Sequence, residues 1–314
     1  MIHPLPLFLV SWFGISPAFA GDIAFVTNQT SSDVTVIDLA SGDIVKTIPI
    51  GGNPAAVAVG PFGQYIYVVS PENKTLSVLD RGTLTVLRRI TLEGGPFGVA
   101  VHPDGKRVYV TDWFAARIFE VDPVDGQVIR TLNSGKSPSG LAVTSDGAKL
   151  LSADRDSNQI SIFDTANGNR IATVPTGERP FGVTISADGT RAYTADVGTN
   201  TVTVIDIARA EVVGSVKVGE RPYAVALAQG RGFATNQYAD TVSVFDLQTL
   251  EPIATIDVGE YPEGINTSTD GMGIVVANWF SNSLSIIDAQ TLEVTEELKT
   301  GDGPRAFGLF ILPQ

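Results

Sequence analysis

The chain has 314 residues, no cysteine and a net charge of −13 at pH 7. The lack of cysteine excludes disulfides, thiol catalysis and cysteine-ligated metal centres. The acidity disfavours non-specific binding to duplex DNA, which depends on Lys and Arg displacing counterions, so we expect no duplex DNA partner.

The first 20 residues have the features of a secretory signal peptide. An apolar run from Leu5 to Ile15 is followed by Ala18-Phe19-Ala20, which fits a cleavage site before Gly21. The run is shorter than the roughly 20 apolar residues that span a bilayer. We therefore predict a signal peptide over residues 1–20, a periplasmic or secreted protein and no membrane span after cleavage. The stretch carries no Lys or Arg, so an uncleaved anchor is the alternative.

Two residue types recur at a nearly fixed interval through the rest of the chain. Five of the six intervals between successive members of each series are 42 residues, and the other is 40. The two series are Asp38, Asp80, Asp122, Asp164, Asp206, Asp246, Asp288 and Pro54, Pro96, Pro138, Pro180, Pro222, Pro262, Pro304. A period of this length indicates seven copies of one supersecondary unit. We call these residues the repeat aspartates and the repeat prolines.

Each unit reads as four short β-strands without room for a helix. In the third unit RVYVTD, RIFEVD and QVIRTL are followed by SGLAV, and tight-turn sequences such as Ser145-Asp146-Gly147 separate the units. The domain would begin at the second strand of a unit, Ile23 to Asn28, and end after a first strand, Arg305 to Leu312. We predict an all-β, seven-bladed β-propeller of four-stranded antiparallel blades over residues 21–314, closed by N- and C-terminal strands that share one blade.

The repeated strands resemble those of the YVTN-repeat family of seven-bladed propellers, the YncE-like exported propellers. The matching pieces are Phe25-Val26-Thr27-Asn28, Tyr109-Val110-Thr111-Asp112 and Val202-Thr203-Val204-Ile205-Asp206. The resemblance covers essentially all of residues 21–314. It implies a periplasmic or surface protein, sometimes beside cytochromes or quinoproteins, and one such relative is associated with DNA binding.

Side chains that could carry chemistry are few, so we predict no catalytic residue, no metal and no cofactor, and an enzyme is the less favoured interpretation. Beyond the signal only His102 remains, in a predicted turn, whereas zinc, haem and serine-nucleophile sites need histidine. Asp112, Asp154 and Asp196 end the second strands of three successive units. At that radius the blades lie roughly 10 Å apart, too far to share a calcium ion, so we interpret these aspartates as turn caps.

Departures from the repeat concentrate on one face, formed by the loops before the repeat prolines and after the second strands. We predict that this face binds a ligand or partner through aromatic and Arg side chains around the channel mouth. The candidate residues are Trp113, Phe114, Arg155, Arg179, Phe181, Arg221, Tyr223, Trp279, Phe280 and Arg305. Clustered guanidinium groups could hold a small anion. The structural alternatives are pairing of the arginines with Glu178 and Glu220, and packing of the rings over neighbouring blades.

Three functions follow from these features. The favoured one is an exported, non-enzymatic binding or scaffold protein, monomeric, with a protein partner or a small anionic ligand at the channel mouth. The second is an accessory or redox subunit of a periplasmic cytochrome or quinoprotein system, with a cofactor held near Arg179, Arg221 and Tyr223. The third is a single-stranded DNA binder that stacks bases on Trp113 and Trp279.

Overall fold

The computed structural model describes residues 21–313, so the predicted signal peptide lies outside the described residues. The regular structure of this range is β-strand apart from one 3-10 turn, Arg155–Ser157. The strands are β1 (Asp22–Asn28), β2 (Asp33–Asp38), β3 (Ile44–Pro49), β4 (Ala56–Val59), β5 (Tyr65–Ser70), β6 (Thr75–Asp80), β7 (Thr85–Thr91), β8 (Pro96–Val101), β9 (Val108–Asp112), β10 (Arg117–Asp122), β11 (Gln127–Asn133), β12 (Pro138–Val143), β13 (Lys149–Asp154), β14 (Gln159–Asp164), β15 (Arg170–Pro175), β16 (Pro180–Ile185), β17 (Arg191–Asp196), β18 (Thr201–Asp206), β19 (Glu211–Lys217), β20 (Pro222–Ala228), β21 (Arg231–Asn236), β22 (Thr241–Asp246), β23 (Pro252–Asp257), β24 (Pro262–Thr267), β25 (Gly273–Asn278), β26 (Ser283–Asp288), β27 (Val294–Lys299), β28 (Phe307–Leu309) and β29 (Ile311–Pro313).

The strands form seven sheets, one per blade, which confirms the predicted seven-bladed propeller. The first blade is ordered β29-β1-β2-β3, and the third to seventh blades each contain four consecutive strands from β8 to β27. The second blade contains β4 to β7 and gains β28 as a fifth strand. Among residues 21–313 there is no helix with the length and apolar character needed to cross a membrane.

The two ends of the chain close the ring inside the first blade, as predicted. Strand β29 pairs antiparallel with β1 through Ile23 and Leu312. The closing segment is divided in two, whereas the sequence predicted one strand from Arg305 to Leu312. The break falls at Phe310, and the strand before it, β28, pairs in parallel with β4. Gly308 in the middle of β28 has a φ of +117°, which only glycine adopts readily. The closing segment therefore joins the first and second blades.

The repeat aspartates close the turns between the third and fourth strands of the blades. The Asp122 carboxylate accepts hydrogen bonds from the backbone N–H groups of Val124 and Asp125, at 2.7 and 3.1 Å. Asp246 and Asp288 accept equivalent pairs of bonds. The repeat aspartates thus cap these turns, and this role explains why the spacing is so regular.

Glycine in the innermost strands lets neighbouring blades approach each other closely. A Cβ atom placed on Gly98 would lie 1.9 Å from the carbonyl oxygen of Ser139 on the next blade, and one on Gly264 would lie 2.2 Å from that of Ala306. These distances are far below van der Waals contact. The glycines two places after the repeat prolines are therefore required by packing.

The core lies between the faces of adjacent blades. One register of the second strands supplies large rings that are at most 2 % exposed, namely Phe25, Tyr67, Tyr109, Tyr193 and Phe233. The fourth strands are mostly exposed, as in β3 and β19. The rigid inner part of each blade thus positions the loops at both faces.

Candidate functional site

The loops that follow the second strands and the loops that precede the repeat prolines meet on one face, which we call the loop face. The backbone N–H of Trp113 donates to Gly95 O at 2.9 Å, and that of Val197 donates to Arg179 O at 3.1 Å. These equivalent bonds join the two loop types at the third and fifth blades. All ten candidate residues belong to these loops or to the strand ends beside them. The opposite face, which carries the turns between first and second strands, is called the turn face.

Seven side chains that follow the repeat prolines form a ring around the channel axis, which we call the hub. They are Ala55, Phe97, Ser139, Phe181, Tyr223, Glu263 and Arg305. The Phe181 and Tyr223 rings lie 4.4 Å apart between centroids, and Phe97 and Phe181 lie 5.7 Å apart. Phe307 contacts Phe97, Phe181 and Tyr223, with centroid distances of 5.6, 5.2 and 5.3 Å. Aromatic side chains thus fill the channel at the loop face.

A buried ion pair completes the hub. Nε of Arg305 lies 2.8 Å from the Tyr223 hydroxyl oxygen and 2.9 Å from Oε2 of Glu263. Gln237 donates to Glu263 Oε1 at 2.6 Å, so the carboxylate is held from two sides. The Arg305 side chain is 17 % exposed and that of Glu263 is 4 % exposed. Arg305 is therefore already neutralised by a neighbour and is not a free anion ligand.

Burial determines the protonation of this pair. Desolvation raises the pKa of Glu263, and the nearby Arg305 charge and the Gln237 hydrogen bond partly oppose the rise. Desolvation acts to lower the pKa of Arg305, but Glu263 and Tyr223 outweigh it and the net shift is upward. Desolvation raises the pKa of Tyr223 well above its ordinary value. The guanidinium consequently stays charged and the phenol stays neutral at any physiological pH.

Trp113 lies against the hub, and Phe114 does not. The Trp113 ring contacts Phe97 edge-on at 5.3 Å and Phe181 at 6.1 Å. The Arg155 guanidinium lies 5.6 Å from the centre of the same ring and 2.6 Å from the Asp156 carboxylate. Phe114, by contrast, is 82 % exposed. Trp113 therefore packs against the hub, whereas the Phe114 ring extends into solvent.

A second aromatic group lies on the loop face, at the sixth and seventh blades. We call it the rim cluster and define it as Arg221, Tyr238, Tyr261, Trp279 and Phe280. Tyr261 contacts Tyr238, Trp279 and Phe280 with centroid distances of 5.7, 6.1 and 5.0 Å. Tyr238 and Phe280 are 50 % and 58 % exposed. Large rings in contact with one another and with solvent are unusual away from binding surfaces.

Arg221 belongs to the rim cluster through Tyr238. Its guanidinium lies 4.3 Å from the centre of the Tyr238 ring, and its terminal nitrogen donates to the hydroxyl at 2.7 Å. Its Nε is buried without a hydrogen-bond partner among residues 21–313. A partner that covered this corner with a carbonyl or carboxylate oxygen would satisfy that N–H group.

The loops hold Arg179, Arg221 and Tyr261 by a common device. Each precedes a repeat proline and has a positive φ, of 58°, 54° and 59°. Their backbone N–H groups donate to the side-chain oxygens of Asn158, Asn200 and Asp240, each 21 residues earlier, at 2.9, 2.9 and 2.8 Å. The left-handed conformation costs free energy in a non-glycine residue, and the side-chain acceptor compensates for it.

The arginines are distributed around the face and do not form one group. Arg155, Arg221 and Arg305 each contact a different aromatic ring. Arg179 is exposed, and none of the ion pairs of residues 21–313 joins Arg179 or Arg221 to Glu178 or Glu220. The proposed pairing with those glutamates is therefore not observed. Anion binding by Arg179 stays a prediction.

The acidic residues that end the second strands are caps. Asp112 accepts backbone N–H bonds from Gly95 and Phe114 and pairs with Arg117 at 2.8 Å. Asp154 and Asp196 accept side-chain bonds from polar residues of the next strand. Residues 21–313 contain no group of three or more acidic or histidine side chains close enough to bind a metal ion.

Burial gives two of these caps unusual acidities. Desolvation raises the pKa of Asp196 to about 7, although Thr203 and Thr201 donate to it. Desolvation also raises the pKa of Asp154. The pKa of Asp112 is lowered, because the hydrogen bond from Gly95 and the Arg117 charge together outweigh desolvation. Asp196 is therefore protonated through much of the acidic range.

His102 lies in a turn, as predicted, and this turn belongs to the turn face. Its Nε2 is 3.0 Å from the carbonyl oxygen of Gly147, and the side chains of Asp104 and Arg107 surround its Nδ1. The ring is buried. It joins the third blade to the fourth and is remote from the loop face.

Several residues of the hub and the rim cluster, or in contact with them, were not predicted as site residues, among them Phe97, Tyr238, Tyr261, Glu263, Phe307, Gln29 and Gln237. Phe97 and Glu263 occupy the same repeat position as Phe181, Tyr223 and Arg305. Residues at one repeat position around a closed ring face the same axis, so the repeat itself could have identified the Glu263–Arg305 pair. Gln29 accepts from the Trp279 indole N–H at 3.3 Å across the ring closure, which required knowledge of which blades are neighbours.

Known proteins share this fold. The family model described as YNCE-like beta-propeller matches residues 64–150. A Kuenenia stuttgartiensis hydrazine synthase structure aligns with a TM-score of 0.73 and 18 % identity, over 81 % of this chain and 89 % of that one. A functionally unknown protein from Desulfotomaculum acetoxidans aligns with a TM-score of 0.79 and 14 % identity, over 91 % of this chain and 99 % of that one. No curated protein sequence matches. At these identities the solved structures show the fold alone.

Proposed function

We propose that this chain, a YncE-like seven-bladed β-propeller, is an exported binding or scaffold protein that recognises a partner through its loop face. The propeller fold of this family is compatible with a binding or scaffold role. Our finer proposal is that the rim cluster together with Phe114 forms the contact surface. The hub supports that surface from below.

The observation that carries the proposal is the exposure of three large rings on one face. Phe114, Tyr238 and Phe280 are 82 %, 50 % and 58 % exposed. Aromatic and Arg side chains dominate the energetics of protein interfaces because they bury much apolar area with few rotatable bonds. Arg221 over Tyr238 adds a charge that can pair with an acidic or carbonyl group of the partner.

A matched set of variants tests this proposal. Phe62 is 77 % exposed in a turn of the turn face. Phe62→Ala therefore removes a comparable exposed ring from the face that is not expected to bind the partner. Phe280→Ala combined with Tyr238→Ala should abolish cross-linking to the partner in intact cells, whereas Phe62→Ala should leave it unchanged. Equal loss in both variants, or no loss in either, would contradict recognition by the loop face.

The anionic ligand is tested separately. Because Arg179 is exposed and Arg221 has a buried N–H group without a partner, both remain available to a carboxylate or phosphate. Calorimetric titration with inorganic phosphate and with citrate should show binding that Arg179→Ala plus Arg221→Ala removes. Binding that survives both substitutions would eliminate these residues as the anion site.

Export is the part of the proposal that rests on sequence. A signal peptide at residues 1–20 would give a mature chain that begins at Gly21. N-terminal sequencing of the protein recovered from the periplasmic fraction should read Gly-Asp-Ile-Ala. Recovery with Met1 in the membrane fraction would favour an uncleaved anchor.

The redox and single-stranded DNA hypotheses predict different measurements. A redox subunit purified from its native compartment should absorb visible light, and a colourless preparation that still binds its partner would argue against that role. A single-stranded DNA binder should lose affinity steeply as salt rises, because phosphate contacts release counterions. Affinity for oligothymidylate that does not fall with salt would exclude this mode.

A further inference from the structure

A cavity of about 300 Å³ lies in the central channel below the hub. Its walls are the later residues of the innermost strands, including Val101, Val143, Ile185 and Leu309. These strands run from the repeat prolines at the loop face towards the turn face, so the cavity lies on the turn-face side. We call it the lower channel. It is separate from the surface assigned to partner binding.

The lower channel ends blindly at the hub. Phe307 lines the cavity and also contacts the rings of Phe181 and Tyr223. Phe181, Tyr223 and Phe307 are each no more than 7 % exposed, so the aromatic layer is closed. A small molecule could therefore enter the cavity only from the turn face.

The mouth of the cavity is apolar. Leu309 is 54 % exposed there, although it belongs to an innermost strand. Val101, Val143 and Ile185 occupy the same repeat position on the third, fourth and fifth blades and are half-buried. The divided closing segment produces this exposure, because β28 pairs with β4 and leaves Leu309 at the opening of the lower channel. Apolar side chains around an opening favour an apolar molecule over water.

The walls offer no charge to a ligand. No charged side chain lines the cavity, and its two polar side chains, Thr184 and Asn266, are already bonded. The Thr184 hydroxyl donates to Val225 O at 2.6 Å. The Asn266 amide donates to Gly308 O at 3.0 Å and accepts from the Phe310 N–H at 2.7 Å. An ion would lose its hydration without compensation in such a site.

We propose that the lower channel binds a small, neutral, apolar molecule. The volume is at the lower end of the range of ligand sites, which is roughly 300–1,000 Å³. This second site goes beyond the proposed partner-binding role and does not depend on it.

A matched pair of fluorescent probes tests the proposal. N-phenyl-1-naphthylamine is neutral, and 1-anilinonaphthalene-8-sulfonate has the same ring system with an added sulfonate. The neutral probe should bind saturably with one site per chain, and the sulfonate should bind at least about tenfold more weakly, because its charge finds no partner in the cavity. Equal affinities, or no saturable binding of the neutral probe, would overturn the proposal.

Two variants test whether the neutral probe binds in the lower channel. Leu309→Asp puts a charge on the exposed mouth residue without disturbing the core, and Ala142→Phe fills the cavity from its wall. Both should weaken binding of the neutral probe about tenfold or more, whereas Phe280→Ala should leave it unchanged. Binding that survives Leu309→Asp and Ala142→Phe, or that is lost in Phe280→Ala, would show that the probe binds at another surface. That result would overturn the assignment of the lower channel as the site.

Discussion

At the scale of single residues, one repeat position shows how the same fold tolerates different chemistry. The last residue of the second strand is Asn28, Asn236 and Asn278 in three blades but Asp112, Asp154 and Asp196 in three others. Asn236 and Asn278 donate to two hydroxyl groups two strand positions apart, as Asn236 does to Thr241 and Ser243. Asn28 donates to the Asp33 carboxylate and the Thr35 hydroxyl. Asp196 accepts from Thr201 and Thr203 in the same geometry. An asparagine at this position stays neutral at every pH, whereas a buried aspartate loses solvation free energy when it ionises.

Asp196→Asn should therefore stabilise the protein at neutral and alkaline pH. The folded-state pKa of about 7 exceeds the ordinary value of 3.8, so the native state holds a proton that the unfolded chain has released. The contribution of Asp196 to the free energy of unfolding is accordingly fully present below pH 4 and is lost as pH rises towards 7. The gain from asparagine should grow over this window to a few kcal/mol, about 4 at most. Urea unfolding at pH 4, 6 and 8 measures it.

The control for that substitution is Asp112→Asn. Asp112 has a lowered pKa and pairs with Arg117, so its removal should destabilise the protein at pH 7 instead. A gain from Asp196→Asn that does not vary with pH would show that the hydrogen bonds, and not ionisation, account for the effect.

The Arg305–Glu263 pair should behave as a coupled unit. Arg305→Met leaves the Glu263 carboxylate buried without its counter-charge, and we expect a loss of about 3–5 kcal/mol in the free energy of unfolding. Adding Glu263→Gln should restore most of that loss, since no unpaired charge then remains. Denaturant unfolding of the two single variants and the double variant gives the coupling energy. Additive losses would indicate independent packing contributions, and Arg179→Met serves as an exposed control.

At the scale of strands and loops, the inner strands are defined by backbone contacts between blades. Gly98→Ala should destabilise the propeller by about 1–3 kcal/mol or more, because the added methyl group would overlap the Ser139 carbonyl oxygen. Gly82 lies in an exposed turn where a Cβ atom would meet only Asp80 at 3.5 Å. Gly82→Ala should change stability by no more than about 0.5 kcal/mol. Thermal unfolding followed by circular dichroism compares them, and similar losses would contradict the packing explanation.

Sequence reasoning succeeded where a residue acts within its own repeat. The number of blades and the order of their strands depend on contacts inside one blade or with the next blade. It could not find how the arginines orient. Arg155 and Arg305 each contact an aromatic ring in addition to a carboxylate, that of Asp156 and that of Glu263. Arg221 contacts the Tyr238 ring and forms no ion pair with Glu220. Sequence reasoning also missed the division of the closing segment at Phe310, because the pairing of β28 is with β4 of the second blade.

At the scale of the whole molecule, ring closure depends on a short segment. Truncation after Gly303 would remove β28 and β29 and leave the inner edges of β1 and β4 unpaired. We expect a lower midpoint, a less cooperative thermal transition and association through the exposed edges, because unpaired strands invite pairing with other chains. Calorimetry and light scattering measure both effects. A peptide spanning residues 304–314 should reverse them when added in excess, and an unaltered transition would mean that six complete blades suffice.

The aromatic layer of the hub divides the axis of the molecule into two compartments. Solvent or solute on one side cannot pass to the other through rings that are no more than 7 % exposed. The central channel is therefore closed at the hub and does not run through the molecule. Occupancy above and below the hub should be thermodynamically independent unless the rings themselves shift, and any measured cooperativity between the two sides would report directly on movement of Phe181, Tyr223 or Phe307.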